Sequence, residues 1–122
     1  MKTAVIGSRS FTNYTIVEDT LDGYDLPLII SGGAIGADSL AERYAEEKGI
    51  PTLIFKPDYE KYGKSAPILR NKEIIDAAER VIAFWDGKSR GTAYTIKYAL
   101  QKGLTVHCIP YYKHRLIGTS IE

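Results

Sequence analysis

Apolar residues in this chain fall into short unbroken runs, separated by segments in which they recur at helical spacing. Thr3–Ile6 is a β-branched run closed by Gly7, and Leu28–Ser31, Pro51–Phe55, Arg80–Trp85 and Leu104–Ile109 read as four further strands. Asn13–Leu21 places Ile16, Val17, Thr20 and Leu21 on one helical face, with Thr12 or Asn13 as the cap. From Ala37 the stripe is Leu40, Ala41, Tyr44 and Ala45, and Gly49 stands where such a helix stops. Ile68–Ala78 predicts a third helix. Thr92–Gln101 predicts a fourth, with Ala93, Ile96, Ala99 and Leu100 inward and Gly103 as its stop. Lys56–Pro67 is polar, aromatic and irregular, long for a connection in so short a chain, and Tyr111–Glu122 is a tail of no defined pattern.

Strand and helix alternate throughout, and the strands are apolar along most of their length. This predicts a Rossmann-like α/β fold, one three-layer α/β/α domain around a five-stranded parallel sheet of order 3-2-1-4-5. A chain of 122 residues holds one such domain, with a core over about 1–109 and a tail over 110–122. Ligands of doubly wound sheets sit beyond the carboxyl ends of the strands, where strand order reverses. The loops after strands one and four then flank the crevice, with the loop after strand two beside them.

Those three loops carry the glycine and hydroxyl residues. Ser31-Gly32-Gly33-Ala34-Ile35-Gly36-Ala37-Asp38 joins a strand to a helix, so glycines there let a ligand approach the main chain and the helix offers free N–H groups to a phosphate. Ser31 adds a hydroxyl. Asp38 repels phosphate and is expected to cap the helix or to accept from ribose hydroxyls. Trp85-Asp86-Gly87-Lys88-Ser89-Arg90-Gly91-Thr92 repeats the arrangement after strand four; Ser89 or Thr92 caps the next helix or meets a ligand, and Trp85 stacks on a base or packs in the core. Gly7-Ser8-Arg9-Ser10 follows strand one, and Arg9 is a planar, bidentate partner for phosphate. Arg70 and Asn71 open the helix behind the long segment and are placed to close over a ligand, with Tyr59, Tyr62 and Lys64 in a candidate lid.

Charge and composition narrow the partners. Sixteen basic and 15 acidic residues leave a formal net charge of +1, so no global field draws the chain to nucleic acid. No apolar run is long enough to cross a membrane, and the first residues lead into a strand rather than a signal-peptide pattern. A lone cysteine, Cys108, fits a reducing, cytoplasmic setting. Gly63-Lys64-Ser65 and Gly87-Lys88-Ser89 lack the earlier glycine of a Walker motif, since Asp58 and Ile82 stand there. The glycine loop follows the second strand rather than the first, unlike a dehydrogenase fingerprint. His107 and His114 have no partners at metal-ligand spacing, and no serine lies in a hydrolase elbow.

Taken in order, Gly7-Ser8-Arg9, Ser31-Gly32-Gly33-Ala34-x-Gly36-x-Asp38, Tyr62-Gly63-Lys64, Arg70-Asn71 and Phe84-Trp85-Asp86-Gly87-x-Ser89-x-Gly91-Thr92 resemble the SLOG superfamily of Rossmann-like domains, in which the DNA-processing and Lonely Guy proteins also fall. The likeness is greatest to its small stand-alone branch related to YspA and YpsA. It implies a site for nucleotides or ADP-ribose derivatives, built from Gly7, Ser8, Arg9, Ser31, Gly32, Gly33, Ala34, Gly36, Asp38, Arg70, Asn71, Trp85, Asp86, Ser89, Gly91 and Thr92. Pro67 departs from the glycine that the branch carries ahead of its Arg-Asn pair. Lonely Guy phosphoribohydrolases share an arginine resembling Arg70 but carry acidic residues where Tyr94 and Thr95 stand here. That departure favours holding a nucleotide over cleaving one, with N-glycosidase activity as the alternative and single-stranded DNA binding behind it. No cofactor or metal is required by this reading. A homo-oligomer is the expected assembly, with Tyr111, Tyr112 and Ile117 forming its contact or covering the core.

Overall fold

In the computed structural model, which describes residues 1–112 and 115–116, the order of paired strands is β3-β2-β1-β4-β5-β6. Strands β1 (Lys2–Gly7), β2 (Leu28–Ser31), β3 (Thr52–Ile54), β4 (Arg80–Trp85) and β5 (Thr105–Tyr112) are parallel, the arrangement expected from the sequence. A short β6 (Arg115–Leu116) is added antiparallel to β5, with Tyr111 opposite Leu116. His114, Ile117 and the Tyr112 side chain lie outside the described residues.

The two-residue period of the central strands sorts their side chains into two cores. Val5, Ile29, Ile82 and Phe84 face α1 (Tyr14–Leu21) and α2 (Ala37–Lys48). Ala4, Ile6, Ile30, Val81 and Ala83 face α4 (Ala66–Ala77) and α5 (Arg90–Gln101). Both faces of β1 and β4 are therefore covered, which is why those runs are apolar without alternation. β3 is the exception: as an edge strand it is exposed at all three residues.

The caps follow local chemistry. Asn13 accepts from the Ile16 amide to start α1, and Gly49, in the left-handed region at φ 70°, ends α2. The segment expected to be irregular is largely helical: Asp58 caps a single turn, α3 (Tyr59–Tyr62), and a 3-10 turn over Gly63–Ser65 runs into α4, with Pro67 in its first turn. α5 starts two residues earlier than its apolar stripe implies. Its buried face is Thr92, Thr95 and Ala99, while Leu100 is 56% exposed. The hydroxyls point inward because this half of α5 lines a cavity, and Thr95 Oγ1 satisfies itself on the Gly91 carbonyl at 2.8 Å.

Candidate functional site

Three loop glycines exist to let elements touch. A Cβ at Gly7 would stand 2.5 Å from the Phe84 carbonyl and 2.6 Å from Ala37 Cβ, so the end of β1 closes against both β4 and α2. At Gly36, with φ 81°, a Cβ would stand 2.5 Å from both the Ser8 and the Arg9 carbonyl oxygens, so no side chain is admitted. The Ala37 amide then donates to the Ser8 carbonyl at 3.3 Å, binding the loop after β1 to the head of α2. Gly32 lies between the heads of Arg70 and Asp38: its Cβ would be 2.7 Å from Arg70 Nη1 and 2.8 Å from Asp38 Oδ2.

The loop after β4 is tied by its own polar groups. Asp86 accepts from the Lys88 and Ser89 amides, each at 2.8 Å, and from Ser89 Oγ at 3.2 Å. Burial pushes the Asp86 carboxyl up, but these bonds outweigh it and hold the group below the usual aspartate value. Trp85 Nε1 donates to the Ser89 carbonyl at 3.1 Å, and the Ser89 and Ser8 hydroxyls are hydrogen-bonded at 2.9 Å, joining this loop to the one after β1. Ser89 is thereby used up, and no side chain caps α5. The first α5 amide bonded back along the chain is that of Ala93, to Ser89 at 3.1 Å, so the amides ahead of it face outward at the positive end of the helix dipole.

Between these loops and α4 lies a cavity of about 510 Å³, within the ordinary range for small-molecule sites. Of the residues expected from the sequence, Gly7, Arg9, Ala34, Asp38, Arg70, Asn71, Ser89, Gly91 and Thr92 line it. Ser8, Ser31, Gly32, Gly33, Gly36, Trp85 and Asp86 do not line it; Gly33 is exposed on the side of Ile54 and Lys56. Ser31 is fully buried, its hydroxyl turned onto Glu42 at 3.1 Å. Ile6, Ser10, Pro67, Ile74, Arg90 and Thr95 complete the lining and were not singled out as contacts. Arg90 had a legible signal, being the one cation flanked by Ser89 and Gly91 in a loop already marked. Among the described residues no aromatic ring lines the cavity. Tyr94 is 41% exposed and faces Lys72 on the outer surface. Tyr111 is buried within the chain, its ring 4.6 Å from that of Phe11, and so covers the core.

The walls differ in charge. Arg9 and Arg90 are exposed at the mouth, and Arg9 makes no hydrogen bond or ion pair among the described residues. Arg70 is 7% exposed; its Nη1 donates to the Gly32 carbonyl at 2.6 Å and its Nε to Asn71 Oδ1 at 2.8 Å. Asp38, 8% exposed, accepts from the Ala34 amide at 3.3 Å. Burial pushes its carboxyl up to about 6, with Glu42 adding to the rise and the Ala34 bond and Arg70 opposing it. Among the described residues no group of His, Cys, Asp and Glu could hold a metal ion, and no helix is long and apolar enough to cross a membrane.

Comparison with known proteins agrees with this architecture. A model of the "YspA, cpYpsA-related SLOG family" matches residues 1–62. The chain belongs to this SLOG family. It is also 34% identical over 114 residues to the Gene 61 protein of Mycobacterium phage D29, covering 84% of this chain and 90% of that protein. Among solved structures it is similar to DNA processing protein A (DprA) from Streptococcus pneumoniae, at a TM-score of 0.78 and 23% identity, over 92% of this chain. The SLOG chain spans 51% of the length of that DprA chain, and the likeness is one of fold.

Proposed function

We propose that the cavity binds a nucleotide-derived small molecule, an ADP-ribose or NAD derivative or a nucleoside phosphate, and that the protein acts as a sensor, carrier or sequestering protein. One observation carries this reading: the uncapped start of α5, Arg9 and Arg90 line the same cavity as the buried Arg70 and Asp38. The first group suits a phosphate through free amides and guanidinium donors. The second suits a neutral polar group. The anion site therefore lies at α5 rather than at α2, where the carboxylate of Asp38 stands in the first turn.

Thermal unfolding with ADP-ribose, its cyclic isomers, NAD and nucleoside monophosphates tests the proposal. A ligand present at about 100 times its dissociation constant adds about 2.7 kcal/mol, a readily measured rise in melting temperature. No rise with any of them at millimolar concentration overturns it. A second reading, N-glycoside cleavage, draws on Asp38 as the carboxylate that lines the cavity. Chromatography would then show free base released from a nucleoside monophosphate and none with Arg70→Ala; no release retires this reading.

A further inference from the structure

Asp38 and Arg70 are both more than nine-tenths buried, both line the cavity, and the heads of both lie within 3 Å of where a Gly32 Cβ would stand. Neither is saturated by the protein. A carboxylate has about four acceptor sites; among the described residues that of Asp38 meets two backbone amides, Ala34 at 3.3 Å and Gly32, and so keeps acceptor capacity to spare. A guanidinium has about five donors, and Arg70 spends Nη1 on Gly32 and Nε on Asn71. No fully buried side-chain nitrogen or oxygen among the described residues lacks a partner, so the remaining Arg70 donors are open to the cavity rather than stranded in the wall.

The floor of the cavity thus presents an acceptor in want of donors beside a fixed donor. A phosphate serves the second and is repelled by the first. A hydroxyl serves both, since it donates and accepts at once. Two adjacent hydroxyls serve them best, each donating to the carboxylate while one accepts from the guanidinium. A base edge with a donor beside an acceptor would also answer the pair. A base, however, calls for a flat partner, and no aromatic ring lines the cavity.

On the reading that a nucleotide-derived ligand sits here, we infer that Asp38 and Arg70 select the cis-diol of a ribose. The site then reads the sugar and the phosphate and is nearly indifferent to the base. Deleting one hydroxyl leaves a buried charged group unpaired, which weakens binding far more than an ordinary lost contact.

Calorimetric titration of the full chain at fixed pH with AMP, 2′-deoxy-AMP, 3′-deoxy-AMP and UMP tests this. The expected result is a loss of roughly 10- to 100-fold for either deoxy compound, with AMP and UMP within about threefold of each other. In Asp38→Asn, whose side-chain oxygen still accepts from Ala34, the penalty for the deoxy compounds should shrink markedly, leaving only the part owed to the hydroxyl that accepts from Arg70. Equal affinity of the wild type for AMP and both deoxy compounds overturns the diol inference and leaves the phosphate reading standing. A strong preference among bases with the deoxy compounds still bound also overturns it. Binding of none of the four overturns the diol inference, and together with no stabilisation by ADP-ribose or NAD it overturns both. The wild-type comparison decides the matter even where the variant does not fold.

Discussion

Asp38 is held in a state that the apo fold does not favour. Its folded value of about 6 stands above the 3.8 of an unperturbed aspartate, so the unfolded chain releases this proton first as pH rises. Its contribution to stability is therefore fully present below about pH 4 and is lost as pH rises through 6. A shift of that size corresponds to about 3 kcal/mol for a group this deeply buried. Asp38→Asn keeps the acceptor for Ala34 without the charge, so it should be more stable than the wild type at pH 7.5 and no more stable at pH 4. Urea denaturation at the two pH values measures the difference, and equal stability at pH 7.5 would refute the account. The glycines divide by the same reasoning. Gly36→Ala puts a side chain onto two carbonyls at positive φ and should cost more than about 3 kcal/mol. A Cβ at Gly91 meets nothing within 4 Å yet projects from a residue that lines the cavity. Gly91→Ala should stabilise α5 by up to about 1 kcal/mol while weakening any phosphate ligand. A stabilised variant with undiminished affinity would show that the ligand does not approach this turn.

The loop between β4 and α5 works as an element rather than as a set of contacts. Asp86 and Trp85 spend their polar groups on holding Lys88 and Ser89, and the Ser89 hydroxyl is shared between Asp86 and Ser8, so no side chain is left to cap the α5 amides. Asp86→Ala removes three acceptor contacts. It should cost about 1–2 kcal/mol at pH 7 and lower ligand affinity without altering any wall residue. Because the folded carboxyl lies below its usual value, the stability it contributes is present at neutral pH and fades as pH falls below 4. Unfolding of the variant and the wild type should therefore converge in acid. This interior bonding was not legible in the sequence, where nothing about Asp86, Trp85 and Ser89 tells that they bond to one another and to Ser8. The strands and their order were legible, since β1 and β4 must be apolar on both faces to lie between two helical layers. What escaped was set by tertiary context. The turn at α3 depends on the Asp58 cap rather than on periodicity, and α5 turns Thr92 and Thr95 inward because a cavity, not a core, adjoins them.

The whole molecule carries a net charge of only +1, yet Arg9, Arg70 and Arg90 gather at one cavity against the single carboxylate of Asp38 in its lining. Composition could not reveal that local excess, which arises only when the loops after β1 and β4 and the head of α4 meet. The arrangement couples ligand binding to pH through the fold. Rising pH ionises Asp38 at the expense of the apo state, whereas a bound diol supplies the donors that the ionised carboxylate lacks. Ligand affinity should then increase as pH rises through 6, by up to about tenfold per pH unit. A phosphate monoester is a poor probe of this, because its own second proton leaves near pH 6. ADP-ribose, whose diphosphate bridge does not titrate there, isolates the protein's group. At a fixed concentration, the rise in melting temperature caused by ADP-ribose should be larger at pH 7.5 than at pH 5.0 in the wild type. In Asp38→Asn it should be the same at both. A pH-independent rise in the wild type would mean that Asp38 takes no donor from the ligand; a pH-dependent rise surviving in Asp38→Asn would assign the coupling to another group.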